Sequence, residues 1–86
     1  MGILNINQEK FLALSKKAYI SIEKLLPESD RQQIYEFIYL HNEWGLGIET
    51  IIDVIHEENI RVTDIQLQAI KNACNAMKID FNKIQN

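Results

Sequence analysis

The side chains of this 86-residue chain that could do chemistry are one cysteine, two histidines and a few closely spaced carboxylates. Cys74 could be a nucleophile or a soft metal ligand. His41 and His56 could join it at a metal or move protons. Glu49 with Asp53, and Glu57 with Glu58, could supply the paired carboxylates of general acid–base catalysis. None of these groups has the spacing its chemistry needs. The histidines fall on different predicted helices, and no His-x-x-x-His or Cys-x-x-Cys ligand pair is present. Cys74 shares a helical face with Ile70 and Met77, which suits an inert buried thiol, and the sequence shows no oriented base to activate it. Acid–base work requires two carboxyls whose surroundings drive their pKa values apart, and an exposed helix does not provide that. Gly45-Leu46-Gly47 is too short to cradle a phosphate and follows no strand. The sequence therefore predicts no catalytic residues, no metal and no cofactor.

The elements that must position these residues are helices. Three glycines and one proline leave little material for hairpins, and the apolar residues recur every three or four positions almost throughout. Helix one is expected over about Asn7–Leu26, with Phe11, Leu14, Ala18, Ile22 and Leu25 inward and Lys10, Lys17 and Lys24 outward. Pro27 ends it. Ser29 or Asp30 is placed to cap helix two, about Asp30–Asn42. There Ile34, Phe37, Ile38 and His41 make one face, and Tyr35, Tyr39 and Leu40 widen the apolar arc. A helix apolar over most of its girth is either central or partly presented to a partner. His41, close to the end of that helix, is placed to meet its dipole. Helix three starts near Glu43 or Trp44, carries Trp44, Ile48, Ile51, Ile52 and Ile55 inward, and ends at Glu58-Asn59. Ile60-Arg61-Val62 is a short extended connector. Thr63 with Gln66 then forms a capping box for helix four, which runs to about Lys78 and buries Ala69, Ile70, Ala73 and Met77. Ile79-Asp80-Phe81 follows, with room for a short terminal turn. The expected fold is all-α, a single domain over 1–86 made of about four helices, as an antiparallel bundle or a more irregular helical domain.

Bulk properties narrow the functional classes. A single cysteine permits no internal disulfide, which for so small a domain points to a reducing cytoplasm. Met1-Gly2-Ile3-Leu4-Asn5-Ile6 lacks the basic-then-apolar pattern of a signal peptide, and Ile6 stands where myristoylation wants Ser or Thr. No apolar run is long enough to span a membrane. The net charge is −3, and no Lys/Arg cluster forms a strip for phosphates, so direct nucleic-acid binding is not expected.

Charge is distributed unevenly. Acids and bases balance over residues 1–42. Residues 43–64 then hold Glu43, Glu49, Asp53, Glu57, Glu58 and Asp64 against Arg61 alone, and Lys71, Lys78 and Lys83 outnumber Asp80 in the remainder. Glu49, Asp53 and Glu57 recur every four residues, so they stack on the side of helix three opposite Ile48, Ile52 and Ile55. Like charges at this spacing cost about 0.2–0.5 kcal/mol per pair in an isolated helix, and helix three contains no lysine to relieve them. The row is either a solvated face, with salt bridges to a neighbouring helix, or a surface that meets a basic partner. Trp44 fits the core at the corner between helices two and three, or else anchors an interface. Tyr35 and Tyr39 are more open candidates, because their hydroxyls need water or a partner.

The stretch from Asn42 to Asp80 resembles the MafI family of bacterial immunity proteins. The resemblance is carried by Glu43-Trp44-Gly45-Leu46-Gly47-Ile48-Glu49, by Ile52 and Asp53, and by Glu57-Glu58-Asn59-Ile60. It continues through Val62-Thr63 and Ala69-Ile70 to Ala73 and Ala76-Met77-Lys78-Ile79-Asp80. None of these pieces is a catalytic signature; order and spacing together make the match. Gly47 stands where Ala is expected. Glycine inside a helix costs roughly 0.5–1 kcal/mol, which a looser first turn or a close packing contact would explain. Residues 1–41 carry no matching motif.

The resemblance implies a non-enzymatic protein of toxin immunity in contact-dependent growth inhibition. Such a protein binds the nuclease domain of a polymorphic toxin, often an EndoU-type RNase, in the cytoplasm, and neutralises it one-to-one by covering its substrate site. The partner surface is then basic, and the expected contact residues are Glu43, Glu49, Asp53, Glu57, Tyr39 and Tyr35. The rival expectation is a helical adaptor or oligomerisation module that uses the apolar arc of helix two, a face that would serve a homodimer as well as a partner.

Overall fold

A computed structural model describes residues 5–82; the sequence readings made on Met1–Leu4, on Lys83 and on the terminal turn lie outside them. The described residues form four α-helices: α1 (Ile6–Ile22), α2 (Glu28–Tyr35), α3 (Trp44–Glu57) and α4 (Asp64–Met77). The described residues contain no strand.

Local hydrogen bonds fix where α1 and α4 begin. The Asn5 side chain accepts from the Gln8 backbone at 2.8 Å, and the Asn5 N–H donates to Gln8 Oε1 at 3.1 Å. Thr63 and Gln66 repeat this reciprocal cap at 3.2 and 2.8 Å, as the sequence predicts. Gln66 does a second job, donating from Nε2 to the Ser21 carbonyl at 2.9 Å. That bond ties the start of α4 to the end of α1. Lys10 and Leu14 meanwhile share a shallow groove with Asn72, Asn75 and Ala76, so the two helices run antiparallel.

The end of α1 and the start of α2 differ from expectation. Ile22 already leaves helical dihedrals (φ −124°, ψ 0°), and Glu23–Leu25 form a tighter 3₁₀ turn. The phase counted from Phe11 is therefore lost early. Leu25 is 42% exposed, while Leu26, in extended backbone, turns back into the core at 4%. Neither Ser29 nor Asp30 caps α2. Pro27 holds the cap position with φ −55° and makes no side-chain cap bond; its fixed φ is already suited to a helix entry. Its carbonyl accepts from Arg31 N–H at 2.9 Å. Asp30 and Glu28 lie in the first turn instead, where their charge favours the helix dipole.

From Glu36 to Leu40, α2 widens into a π-helical turn. His41 N–H reaches back to the Glu36 carbonyl at 3.0 Å, and Glu43 N–H to the Phe37 carbonyl at 2.8 Å. The first of these bonds spans one residue more than an α-helical turn, the second two more. Ile34 and Ile38 remain fully buried, Phe37 is half-buried, and His41 is exposed at the helix end. His41 thus meets the helix terminus and does not belong to the apolar face. Asn42 then takes a left-handed conformation (φ 53°) and reverses the chain into α3.

α3 is the centre of the fold. Trp44, Ile48, Ile51, Ile52, Val54 and Ile55 are all buried, against Ala18, Tyr19 and Ile22 of α1, Ile34 and Ile38 of the second helical segment, and Ile70, Ala73 and Cys74 of α4. Trp44 belongs to this core, at 7% exposure. Gly47 is explained by close packing: a Cβ there would lie 2.7 Å from Ile38 Cγ1. α3 closes with Asn59 left-handed (φ 51°) and with Ile60 N–H bonded to the Ile55 carbonyl at 3.0 Å, the double-bonded helix end that satisfies the last carbonyls. α4 also ends on a left-handed residue, Lys78 (φ 58°), but there the N–H groups of Lys78 and Ile79 both donate to the Cys74 carbonyl, Ile79 at 2.8 Å. Met77, expected in the core, is half-buried against it; Cys74 is wholly buried.

Candidate partner-binding surfaces

The inward side of α3 is taken up by the core, which determines what the outward side can hold. Leu46, Glu49 and Glu57 are exposed along it, with Thr50 and Asp53 half-buried beside them. The three carboxylates share one face at four-residue spacing, as the sequence implies. They are not equivalent. Glu49 and Glu57 project freely enough to meet a partner, whereas Asp53 is half-buried and has a contact of its own. Glu43 is exposed just ahead of the helix. Its side chain makes no cap bond, while its carbonyl accepts from Gly47 N–H at 2.9 Å.

Tyr35 and Tyr39 are brought together, one turn apart. Their rings stack with centroids 4.5 Å apart and planes 14° from parallel. Tyr19 of α1 completes a three-ring cluster, edge-on to Tyr39 at 6.0 Å and tilted to Tyr35 at 6.4 Å. Its hydroxyl donates to the Arg31 carbonyl at 3.4 Å. Lys16 Nζ lies 5.1 Å above the Tyr39 ring, within cation–π range. Burial, and then the Glu23 carboxylate, push the hydroxyls of Tyr19 and Tyr39 above the ordinary tyrosine pKa.

The acid row and the tyrosines have different electrostatic neighbours. The carboxylate that acts on Tyr19 and Tyr39 is Glu23, in the 3₁₀ turn after α1. Glu49 acts instead on Cys74 of α4, together with Asp80. Of the expected contact residues, Tyr35 and Tyr39 thus lie in the ring cluster with Tyr19 of α1, and Glu49, Asp53 and Glu57 lie along the outward side of α3. Sequence reading passed over Tyr19, Lys16 and Glu23. Lys16 and Tyr19 lie on α1 and Glu23 on the turn after it, and nothing in the sequence tells which part of this segment comes to lie over α2.

The groups weighed for chemistry are placed as follows. Burial, then Asp80 and Glu49, push the Cys74 thiol up to about 11, so it is protonated at neutral pH and a poor nucleophile. Among the described residues, no group of three His, Cys, Asp or Glu side chains could hold a metal ion. No described helix is long and apolar enough to cross a membrane. Among the described residues, the buried polar atoms Ser15 Oγ and Trp44 Nε1 have no hydrogen-bond partner. Compared with known proteins, the chain matches no family model, no curated protein and no solved structure.

Proposed function

We propose that this chain is an immunity-type protein that binds a cognate bacterial nuclease toxin, of the EndoU RNase kind, and neutralises it by one-to-one occlusion of its substrate site. The observation that carries the reading is the two-sidedness of α3. Its inner face is all core, and its outer face presents Glu49 and Glu57, with Asp53 between them. A nuclease must hold phosphates and is therefore basic where it binds them. A rigid helix bearing a row of carboxylates complements such a site in charge, speeds encounter and selects the partner. The order of residues from Asn42 to Asp80, with its resemblance to the MafI immunity proteins, supports the same reading. On this reading the protein acts in the cytoplasm, contacts neither nucleic acid nor membrane itself, and needs no cofactor.

The test is co-expression with the C-terminal domain of a toxin encoded immediately upstream. Growth rescue together with a one-to-one complex on a sizing column is the expected result. Absence of both removes the proposal. In that case the adaptor reading leads, because Leu40 is 60% exposed and Tyr35 39%, an unusual display of apolar surface for one helical segment.

A further inference from the structure

The exposed side of α1 alternates apolar and basic residues. Ile6, Lys10, Ala13, Lys17 and Ile20 follow one another at spacings of four and three, so they form one stripe within the helix, and all five are exposed. Ile6 is 83% exposed and Ile20 59%. The buried residues of α1, Ser15, Ala18, Tyr19 and Ile22, lie on the opposite side. α3 carries the reverse charge on the same plan. Leu46, Glu49 and Glu57 are exposed on its outer side, and its isoleucines are buried on the inner one. No described residue forms an ion pair with Lys10, Lys17, Glu49 or Glu57. Both helices turn their inner faces into the same core, so the two outer faces point away from it and do not meet within one chain.

Between two chains they can meet. Lys10 and Lys17 are seven residues apart, about 10 Å along a helix, and Glu49 and Glu57 eight apart, about 12 Å. Laid antiparallel, as helix dipoles favour, α1 of one copy sets Lys17 against Glu49 and Lys10 against Glu57 of the next. Ile20 then meets Leu46, because Lys17 to Ile20 and Glu49 to Leu46 are the same three-residue step. Ala13 falls at the middle of the contact, where a small side chain lets two helices approach closely. Neither face pairs with itself, since lysine would meet lysine and carboxylate would meet carboxylate.

We propose that this chain self-associates head to tail, the Lys10–Lys17 stripe of α1 in one copy docking on the Glu49–Glu57 row of α3 in the next. Charge complementarity selects the second copy and sets the register, and Ile20 with Leu46 supplies the apolar part of the contact. Because the two surfaces differ, each end of a pair keeps one of them open, and the contact repeats along a chain of copies. A toxin held on the acid row and a second copy held there exclude each other. The proposal does not depend on the toxin reading.

Sedimentation velocity on the full chain in low salt, up to on the order of 1 mM, tests it. Exposed ion pairs make a weak contact, so association is expected on the order of 100 µM, with species larger than a dimer growing in as concentration rises. Salt on the order of 0.5 M reverses it. Lys10→Glu with Lys17→Glu in one variant, and Glu49→Gln with Glu57→Gln in another, each weaken self-association by about tenfold or more. The decisive sample is an equimolar mixture of the two. The first keeps an intact acid row and the second an intact basic stripe, so they associate, and they stop at a one-to-one pair because the two remaining faces no longer match. Circular dichroism verifies that each variant keeps its helices. A wild-type chain that stays monomeric throughout, whether or not it binds vesicles of anionic lipid, overturns the proposal. So does self-association that is complete at a dimer or indifferent to the substitutions, or a mixture that fails to associate.

Discussion

Gly47 and Ile38 touch so closely that nothing larger than a hydrogen fits between them: a Cβ on Gly47 would stand 2.7 Å from Ile38 Cγ1 and 3.2 Å from its Cδ1. This contact sets how near the π-helical turn of the second segment lies to α3. Overpacking such a site costs about 1–3 kcal/mol, more than the roughly 0.5–1 kcal/mol that alanine gains over glycine in a helix. Gly47→Ala should therefore lower stability by about 1–2 kcal/mol. Gly45 is the control. A Cβ there meets only Ile79 Cδ1 at 3.8 Å, an ordinary contact, so Gly45→Ala should raise stability by about 0.5 kcal/mol. Urea denaturation of the pair checks the sign difference; two changes of the same sign would refute this account of Gly47.

Gly47 also shows where the sequence stops being readable. Features settled within one turn of chain were visible: the Thr63–Gln66 cap, the break at Pro27, the isoleucine stripe of α3 and the four-residue period of its carboxylates. The Asn5–Gln8 cap carries the same signal as Thr63–Gln66 and could have been found by it. Features settled between segments were hidden. The role of Gly47 depends on Ile38 of another helix, and the aromatic cluster depends on Tyr19 arriving from α1. The division of the expected contact residues into two groups is also a matter of packing. Tyr39 joins the ring cluster with Tyr19, while Glu43, four residues on, stands ahead of α3 beyond the left-handed Asn42. Leu25 was misplaced because a helix can change pitch in its last turn without any marker residue.

Lys78 adopts a left-handed backbone at the end of α4, with φ 58°. That conformation disfavours a side chain by roughly 1 kcal/mol and favours glycine. Lys78→Gly should raise stability by about 1 kcal/mol, read as a higher Tm. Asn59, with φ 51°, is already a residue that tolerates this region, so Asn59→Gly should gain less. An Asn59 gain equal to or above that at Lys78 would contradict the argument.

Ser15 is fully buried and its hydroxyl has no partner. An unsatisfied buried hydroxyl carries its desolvation penalty without return. Ser15→Ala removes it and improves helix propensity. Stability should rise by about 0.5–1 kcal/mol in chemical denaturation. A loss above about 1 kcal/mol would mean that the hydroxyl does find a partner in solution.

Cys74 makes stability sensitive to alkali. Its thiol is pushed from 9.0 up to about 11 in the folded chain, first by burial and then by Asp80 and Glu49. Below pH 9 both folded and unfolded chains keep the proton, and the thiol adds no pH dependence. Between about pH 9 and 11 the unfolded chain releases the proton while the folded chain retains it, so stability falls as pH rises. Tyr19 and Tyr39, raised above 10.0 by burial and Glu23, continue the loss at higher pH. Cys74→Ala should lower stability at neutral pH through the small cavity it leaves, yet flatten its decline between pH 9 and 11. In the same way, a thiol reagent at neutral pH should label the native chain only as fast as it opens.

The acid row should show opposite signs in folding and in binding. Glu49, Asp53 and Glu57 repel one another along α3, at about 0.2–0.5 kcal/mol per pair. Glu49→Lys and Glu57→Lys each replace a repulsion with an attraction at that spacing, so each variant should be slightly more stable than the wild type, by up to about 0.5 kcal/mol. If the row serves a basic toxin, the same changes should slow association by about tenfold. That effect should shrink as added salt screens the charges. Lys16→Glu, beside the Tyr39 ring and away from the row, should leave toxin association unchanged. A stability gain with no loss of toxin affinity, even when Glu49, Asp53 and Glu57 are all changed to Lys, would make the row a solvated face. A loss of affinity confined to Tyr35 and Tyr39 would move the toxin contact to the aromatic cluster. A row selected only for folding would hold lysines among its acids, and this one holds none.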